Sequence, residues 1–525
     1  MRFWKNPEFV RHLRAELRTA RAITILGVVL VICVIIGLGC WGSHEAQVEA
    51  YRRGNQMFGK PPAEQLAQLE SQGSIDEWFA FYRFLIYAQM VVLTFWSLLC
   101  CAQSISGERE GKTWDFQRAT GLSPAEFLIG KLLGEPIVAY FIVLCCLPIT
   151  LLAGWLGHAG IGNVVSAYLL ILSGSLFLGL AGLWMSSLFE SRSRGIGLIG
   201  TFGLYLFLAF AVYLIDSSFT GIAAFSPLTG LLVLFRVDIP DRVATIFGKA
   251  VPWLVMSLLL YSTFGAWLVL MILRGIKKDF DQIKPLSRWQ AIGCAAFLNF
   301  TAYALFHPQY FVTLRGWETP LHSDRFASFM VGVNGFVLFA MGLAMISPHD
   351  RLKIWWRSRV GVRSLLAEDG PPWPWLVISG ITGYALLAWG MFAWKKDVGF
   401  DRSALLVGLI QSLAVLAFVT RDILFLQWCR LTRMRAPLLK GMLYLGLYYI
   451  AATVLSVVFG ISSTVRGREA LALSTPAGAF DNATSSYSHI LFVGFSIQVA
   501  LIILLLMATA ARLRQGASVF DSSAA

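Results

Sequence analysis

Residues 22–41 read AITILGVVLVICVIIGLGCW and contain no charged side chain. The hydrocarbon core of a bilayer is about 30 Å thick and an α-helix rises about 1.5 Å per residue, so about 20 apolar residues are enough to cross it. A polar segment precedes this run and no small-residue cleavage site follows it, which distinguishes it from a removed signal peptide. We therefore interpret residues 22–41 as a membrane span.

Apolar runs of similar length recur along the whole chain of 525 residues, of which 57% are hydrophobic and 14% charged. This composition excludes an ordinary soluble protein. The other eleven runs are 81–104, 133–156, 164–189, 195–215, 251–273, 291–306, 329–347, 373–394, 403–427, 441–461 and 490–511. They lack the alternation of barrel strands, and only a helix pairs its backbone groups within one segment. The sequence predicts an all-α polytopic membrane protein of about 12 transmembrane helices.

The distribution of Lys and Arg predicts the orientation of the chain. With the N-terminus in the cytoplasm, the inner segments carry about 28 basic residues and the outer segments about 13, as the positive-inside rule requires. We expect both termini to be cytoplasmic, in a bacterial inner (cytoplasmic) membrane. The net charge of +13 is spread over the inner loops, which indicates contact with anionic membrane lipids and no nucleic-acid partner.

A polar linker at residues 275–290 separates two sets of six spans. Arg192 and Arg433 lie 241 residues apart in similar tight turns, after the fourth and tenth spans. Either the second half repeats the first, or the positive-inside rule alone places arginine at both turns. The predicted division is an amphipathic helix at 1–21, a six-helix half at 22–274, the linker at 275–290, a second six-helix half at 291–511 and a cytoplasmic tail at 512–525.

Residues 107–113 (GEREGKT) follow the second span and superficially match a phosphate-binding loop. Such a loop needs four residues between its glycines and a preceding strand, whereas here there are three residues and a membrane helix. Glu108 and Glu110 would also place negative charge where phosphate must bind. We therefore expect this chain to bind no ATP, metal or other cofactor, and to have no catalytic residues.

The same region has the composition of a docking element. Between Ser106 and Leu122, charged side chains surround Trp114, and an aromatic residue in a charged frame is typical of the anchor of a protein interface. Residues 123–126 (SPAE) then form a capping box with Pro124 at the first helical position, which predicts a new helix leading into the third span. Pro136 is expected to kink that helix.

The N-terminal segment predicts a helix lying in the headgroup plane of the membrane. Its apolar and basic residues fall on opposite sides at helical spacing, as in an interfacial amphipathic helix. The apolar side contains Phe9, Val10, Leu13 and Leu17, and the basic side Arg11, Arg14, Arg18 and Arg21.

These motifs together resemble a known family. Residues 108–114 (EREGKTW), 121–124 (GLSP) and 130–133 (GKLL) are similar to the loop between spans two and three of the permeases of type-2 ATP-binding-cassette exporters, and residues 6–14 (NPEFVRHLR) are similar to their elbow helix. The resemblance implies a cytoplasmic coupling helix that contacts a separately encoded ATPase, which would bind the ATP and Mg²⁺. The chain would then be a transport subunit and no enzyme.

The candidate residues follow from that resemblance. Those for coupling to the ATPase are Glu108, Arg109, Glu110, Gly111, Thr113, Trp114, Ser123 and Pro124, and those of the elbow helix are Asn6, Pro7, Arg11 and Arg14. The chain could supply both permease halves, or pair with a second permease subunit or a second copy of itself. The alternatives are an ion-coupled secondary transporter or a membrane-embedded lipid or glycan enzyme. The sequence does not identify the substrate.

The second half contains a segment at the position of the docking element and two ionisable residues within a span. Residues 349–357 (HDRLKIWWR) occupy the place of the coupling segment in the second half but lack its pattern, so Trp355 and Arg357 are expected to contribute less to docking. Arg421 and Asp422, near the inner end of the tenth span, are expected to snorkel to the interface. The eight cysteines are expected to be inert thiols without disulfides.

Overall fold

The computed structural model describes residues 6–56, 63–113, 122–188, 203–206, 220–235, 243–281, 286–306, 322–347, 349–358, 365–394, 402–432, 437–462, 474–475 and 488–521. The chain divides into two compact units, Met1–Pro285 and Leu286–Ala525. This division falls within the linker predicted at 275–290. All eight cysteines are among the described residues, and none forms a disulfide.

In the described residues of the first unit, the regular elements are helices and one short hairpin. Its helices are α1 (Pro7–Glu16), α2 (Thr19–Gln56), α3 (Ala63–Glu110), α4 (Pro124–Gly134), α5 (Ile137–Leu156), α6 (Ile161–Leu188), α7 (Thr220–Ala223), α8 (Pro227–Phe235) and α9 (Trp253–Asp281). Strands β1 (Val243–Ile246) and β2 (Lys249–Pro252) form the antiparallel hairpin. The sixth span was predicted to begin at Val251, but Val251 pairs with Ala244 in the hairpin, so the helix begins two residues later.

The second unit has seven described helices with a similar order. They are α10 (Arg288–Leu305), α11 (His322–Met345), α12 (His349–Ser358), α13 (Trp373–Ala393), α14 (Arg402–Leu431), α15 (Pro437–Ser462) and α16 (Ser488–Asp521). In the first unit α3 packs on α2, α5 and α6, and α6 packs on α9. In the second unit α11 packs on α10, α13 and α14, and α14 packs on α16. The same span positions are therefore neighbours in both units.

Ten of the described helices are long and apolar enough to cross a membrane. They contain ten of the twelve predicted spans, which confirms the polytopic helical class. The predicted span at 195–215 lies mostly outside the described residues, and α10, which contains the span predicted at 291–306, is not among the ten. The helices α2 and α3 have 38 and 48 residues, so both continue well beyond their apolar runs.

The tenth span holds a buried ion pair, so the expectation that Arg421 and Asp422 snorkel is wrong. Arg421 is 6% exposed and Asp422 3%. Arg421 Nη2 lies 2.6 Å from Asp422 Oδ1 and donates to Tyr449 Oη at 3.0 Å, while Nη1 donates to Gln498 Oε1 at 2.8 Å and Tyr448 Oη at 3.2 Å. Because α15 and α16 supply these partners, the guanidinium is satisfied inside the unit and has no need of the interface.

The close packing of α3 on α6 depends on a glycine. A Cβ atom on Gly182 would lie 2.6 Å from the carbonyl oxygen of Leu98 and 3.0 Å from the amide nitrogen of Ala102. Within a membrane, helices associate mainly through close packing, and small residues let two backbones approach. The obstacle to a side chain here is backbone, which has no rotamer through which to move aside.

We predict that Gly182→Ala destabilises the protein by about 1–3 kcal/mol, the usual cost of overpacking. Gly27→Ala is the matched control, because a Cβ atom there meets nothing within 4 Å. Thermal unfolding of both variants in detergent measures the difference. Equal midpoints would contradict the close approach of α3 and α6.

Candidate functional site

Asn6 both begins α1 and attaches it to α4. Its Oδ1 accepts hydrogen bonds from the backbone N–H groups of Glu8 at 3.0 Å and Phe9 at 3.4 Å, which otherwise lack partners in the first helical turn. Its Nδ2 donates to the carbonyl oxygen of Glu126 in α4 at 2.7 Å. Pro7 stands at the first helical position, where its missing N–H costs nothing. The orientation of α1 is thus set from its first residue.

Two glycines on one face of α4 receive the side chains of α1. A Cβ atom on Gly130 would lie 2.7 Å from Cβ of Glu8, and one on Gly134 would lie 3.0 Å from Cδ2 of His12. Residues four apart share a helix face, so the two glycines form one flat strip. The polar side chains of Glu8 and His12 consequently approach the α4 backbone closely.

The start of α4 confirms the predicted capping box. Ser123 Oγ accepts from the Glu126 backbone N–H at 3.2 Å, and Glu126 Oε2 accepts from the Ser123 backbone N–H at 3.0 Å. Pro124 lies at the first helical position. The helix is interrupted at Pro136, between α4 and α5, whereas the sequence predicted only a kink. The interruption arises because proline lacks the N–H that would continue the helix.

The segment 107–113 is the end of a helix. The Thr113 N–H donates to the Glu108 carbonyl at 3.0 Å and the Lys112 N–H to the Arg109 carbonyl at 3.2 Å, while Lys112 takes a left-handed φ of 56°. This pairing is a Schellman motif, which satisfies the last carbonyls of α3. The backbone N–H groups of Gly111, Lys112 and Thr113 are thus all paired within the end of α3.

A buried lysine joins α1, α3 and α4. The Lys131 side chain is 1% exposed, and its Nζ lies 3.1 Å from Glu8 Oε1 and 3.0 Å from Glu135 Oε1, and also pairs with Glu108 Oε1. Arg11 Nη2 lies 2.6 Å from Glu8 Oε1 and 3.2 Å from Glu108 Oε1. We call Glu8, Arg11, Glu108, Lys131 and Glu135 the Lys131 cluster.

Neighbouring polar groups complete the environment of the carboxylates. Ser104 Oγ donates to Glu135 Oε1 at 2.6 Å, and His12 Nε2 lies 3.3 Å from Glu8 Oε1 and 3.6 Å from Glu135 Oε1. Each carboxylate of the cluster therefore touches more than one polar partner. Charges that are taken out of water are stable in a protein only when they are paired and hydrogen-bonded in this way.

The pairing keeps the buried groups charged. Burial raises the pKa of Glu8, but the hydrogen bond with His12 and the charges of Lys131 and Arg11 outweigh burial and lower that pKa to about 2. Burial lowers the pKa of Lys131, but Glu135, Glu108 and Glu8 raise it above its ordinary value. Ionisation of Glu8 thus favours the folded arrangement at every pH above its unfolded value, and the contribution is lost only in strong acid.

The sequence-predicted site residues are only partly brought together. Asn6, Pro7, Arg11 and Glu108 meet at α4, which Ser123 and Pro124 begin. Arg109 instead donates to the Ser187 carbonyl at 3.3 Å. Four of the predicted residues are exposed: Glu110, Gly111, Thr113 and Arg14. Trp114 lies outside the described residues.

Sequence reasoning missed Glu8, His12, Lys131, Glu135 and Ser104. A signal for two of them was present, since Lys131 and Glu135 are the opposite charges of an i,i+4 pair at the start of an apolar run. Within the part of the chain that the structure describes, no group of His, Cys, Asp and Glu is arranged to hold a metal ion.

Comparison with known proteins finds a family for part of the chain. Residues 9–239 match a family described as ABC-2 type transporter. No curated protein and no solved structure matches the chain. The matched stretch contains α3, α4 and Lys131 and ends before the second unit.

The protein is therefore a multi-pass membrane protein. Within its first unit, residues 9–239 are similar to the membrane domain of ABC-2 type transporters. The resemblance to type-2 permeases is confirmed over the matched residues. The family is a membrane component of transport systems, and its ATPase is typically a separate subunit.

We predict that Lys131→Met destabilises the first unit by about 3–5 kcal/mol, because three carboxylates lose their common counter-charge in a buried place. Arg14→Met is the control, since Arg14 is an exposed cation of α1, the helix that the cluster joins to α4. Exposed substitutions usually change stability by about 0.5 kcal/mol or less. Thermal unfolding in detergent measures both. A Lys131→Met protein as stable as Arg14→Met would contradict the structural role of the cluster.

Proposed function

We propose that this chain is the membrane-spanning subunit of an exporter that uses ATP hydrolysed by a separate nucleotide-binding subunit. The observation that carries the proposal is the Lys131 cluster, which holds the inner ends of α1, α3 and α4 together. The segment predicted to dock the ATPase leaves from the end of α3 and returns at the start of α4. Both of its attachment points therefore belong to one connected body.

The mechanism follows from this connection. When the ATPase subunits close on ATP, they displace the docking segment, and the displacement passes to α3, α4 and the elbow helix α1 together. The break at Pro136 separates α4 from α5, so α4 is free to change its angle to the third span. Access to the transport path would switch from the inner to the outer side in this step.

The location of the chain is part of the proposal. Twelve spans, a bacterial inner membrane and cytoplasmic termini are supported by the apolar runs and by the excess of Lys and Arg in the inner segments. In this orientation α1 and the Lys131 cluster lie at the cytoplasmic surface, where a soluble ATPase reaches them. Membrane lipids contact the basic side of α1.

An ion-coupled transporter is favoured by one feature, the intramembrane carboxylate of Asp422. Ion and proton pathways use such groups. Asp422 is, however, held by Arg421 and Tyr449 in a buried network, which suits a structural pair better than a group that releases its ion in each cycle. The permease function remains the better supported one.

The chain is expected to show no ATPase activity alone, because the one segment that superficially matches a phosphate loop forms the end of α3. ATP and Mg²⁺ would bind to the partner subunit. Phosphate release by the purified chain, compared with a mock purification from cells lacking it, measures this. Turnover above the mock preparation would contradict the proposed division of labour.

The docking role is tested with Trp114→Ala, which we expect to weaken ATPase binding by about 2 kcal/mol or more, as for an aromatic anchor. Glu110→Lys should also weaken it, through reversed charge at the interface. Trp155→Ala is the control, since Trp155 is an exposed tryptophan at the far end of α5. Binding of the purified ATPase to each variant in nanodiscs gives the affinities.

Unchanged affinity for Trp114→Ala and Glu110→Lys would refute the docking segment. Equal weakening by Trp155→Ala would show that the loss is general and unrelated to docking. An unchanged unfolding midpoint confirms that each variant is folded.

A further inference from the structure

The inner ends of the second and eighth spans correspond closely. In the first unit the Ser106 N–H donates to Ser186 Oγ at 2.9 Å, and in the second unit the Ser347 N–H donates to Gln427 Oε1 at 3.0 Å. Ser347 follows Ser106 by 241 residues and Gln427 follows Ser186 by the same 241. Residues 349–358 and 365–372, the described part of the chain between Ser347 and α13, thus occupy the place of the docking segment. We call them the matching segment.

The apolar side of the matching segment is covered by its own unit. In α12, Leu352 is 1% exposed and Trp355 8%, and both pack in one cluster with Leu431 of α14 and Leu513 of α16. An aromatic anchor contributes to an interface by entering a pocket of the partner. Trp355 is instead buried against α14 and α16 of its own unit.

A buried arginine fastens both ends of the matching segment. Arg288 is 2% exposed and donates to the carbonyl oxygen of Met345 at 2.8 Å and to Ser347 Oγ at 3.2 Å, where the segment begins. It also donates to the carbonyl oxygens of Glu368 at 3.2 Å and Gly370 at 2.7 Å, where the segment ends. Cations are favoured at the carbonyl end of a helix such as α11.

Further contacts hold the same backbone in place. Gln427 Nε2 donates to the Ser347 carbonyl at 3.1 Å, and Arg430 Nη1 donates to the Ile346 carbonyl at 3.3 Å. Arg351 Nη1 lies 3.3 Å from Asp369 Oδ1, which joins α12 to the end of the segment. In the first unit, by contrast, Glu110 to Thr113 are exposed where the chain leaves α3.

We infer that the matching segment is a closed structural element that does not bind the ATPase, and that each chain binds one ATPase protomer, through its first unit. This inference rests on the proposed function and names the number and place of the ATPase contacts. A transporter with two ATPase protomers then needs a second permease chain to hold the second one.

The test is the molar ratio of ATPase to chain in the purified complex, measured by native mass spectrometry with excess ATPase and a non-hydrolysable ATP analogue. One ATPase per chain is expected. Two per chain would overturn the inference while leaving the proposed function intact. Absence of any bound ATPase would overturn the proposed function, and this inference with it.

Surface substitutions show which unit makes the contact. Ile354→Glu and Arg357→Glu change exposed residues of α12 and should leave the affinity within about twofold, as for positions outside an interface hot spot. Trp114→Ala should lower it about 30-fold or more, which corresponds to the 2 kcal/mol of an aromatic anchor. A comparable loss for Ile354→Glu or Arg357→Glu would show that α12 also docks the ATPase, and would refute the closed segment.

Discussion

The ammonium group of Lys131 contacts carboxylates from three separate parts of the first unit. A charge removed from water must be compensated where it lies, so this side chain is stable only when α1, the end of α3 and the end of α4 are all in place. The same holds for Glu8 and Glu108, because their negative charges are compensated by Lys131. Helix packing in lipid has little hydrophobic driving force, and at the ends of α1, α3 and α4 a charge cluster supplies additional specificity.

The two units meet the same structural need with different chemistry. In the first unit Lys131 pairs with side chains of α1 and α3, whereas in the second unit Arg288 binds backbone carbonyls at both ends of the matching segment. The carbonyl partners of Arg288 lie just before the matching segment and among its last residues, whereas the carboxylate partners of Lys131 join the end of α3 to α1. A shared arrangement of spans is thus fixed by side-chain pairs in the first unit and by backbone carbonyl contacts in the second.

Local chemistry explains which features were predictable. The span positions follow from hydropathy, and the capping box at Ser123 follows from four adjacent residues. The Lys131 cluster was not predictable, since Glu8 and Glu108 lie 123 and 23 residues from the lysine. The buried position of Arg421 was not predictable either, because its partners Tyr449 and Gln498 belong to other helices and are distant in sequence. The hairpin before α9 was missed because Val251 is apolar enough to be counted with the span that follows.

The length of α3 has a mechanical consequence. Its 48 residues extend for about 72 Å at 1.5 Å per residue, more than twice the hydrocarbon thickness of about 30 Å. Lys131 contacts this helix at Glu108, near one end, so a rotation about that contact would displace the far end most. Rotation by about 5° around the clamped end would sweep the far tip through roughly 6 Å for a rod of this length. A small angular change at the Lys131 cluster would in this way be enlarged at the other end of α3.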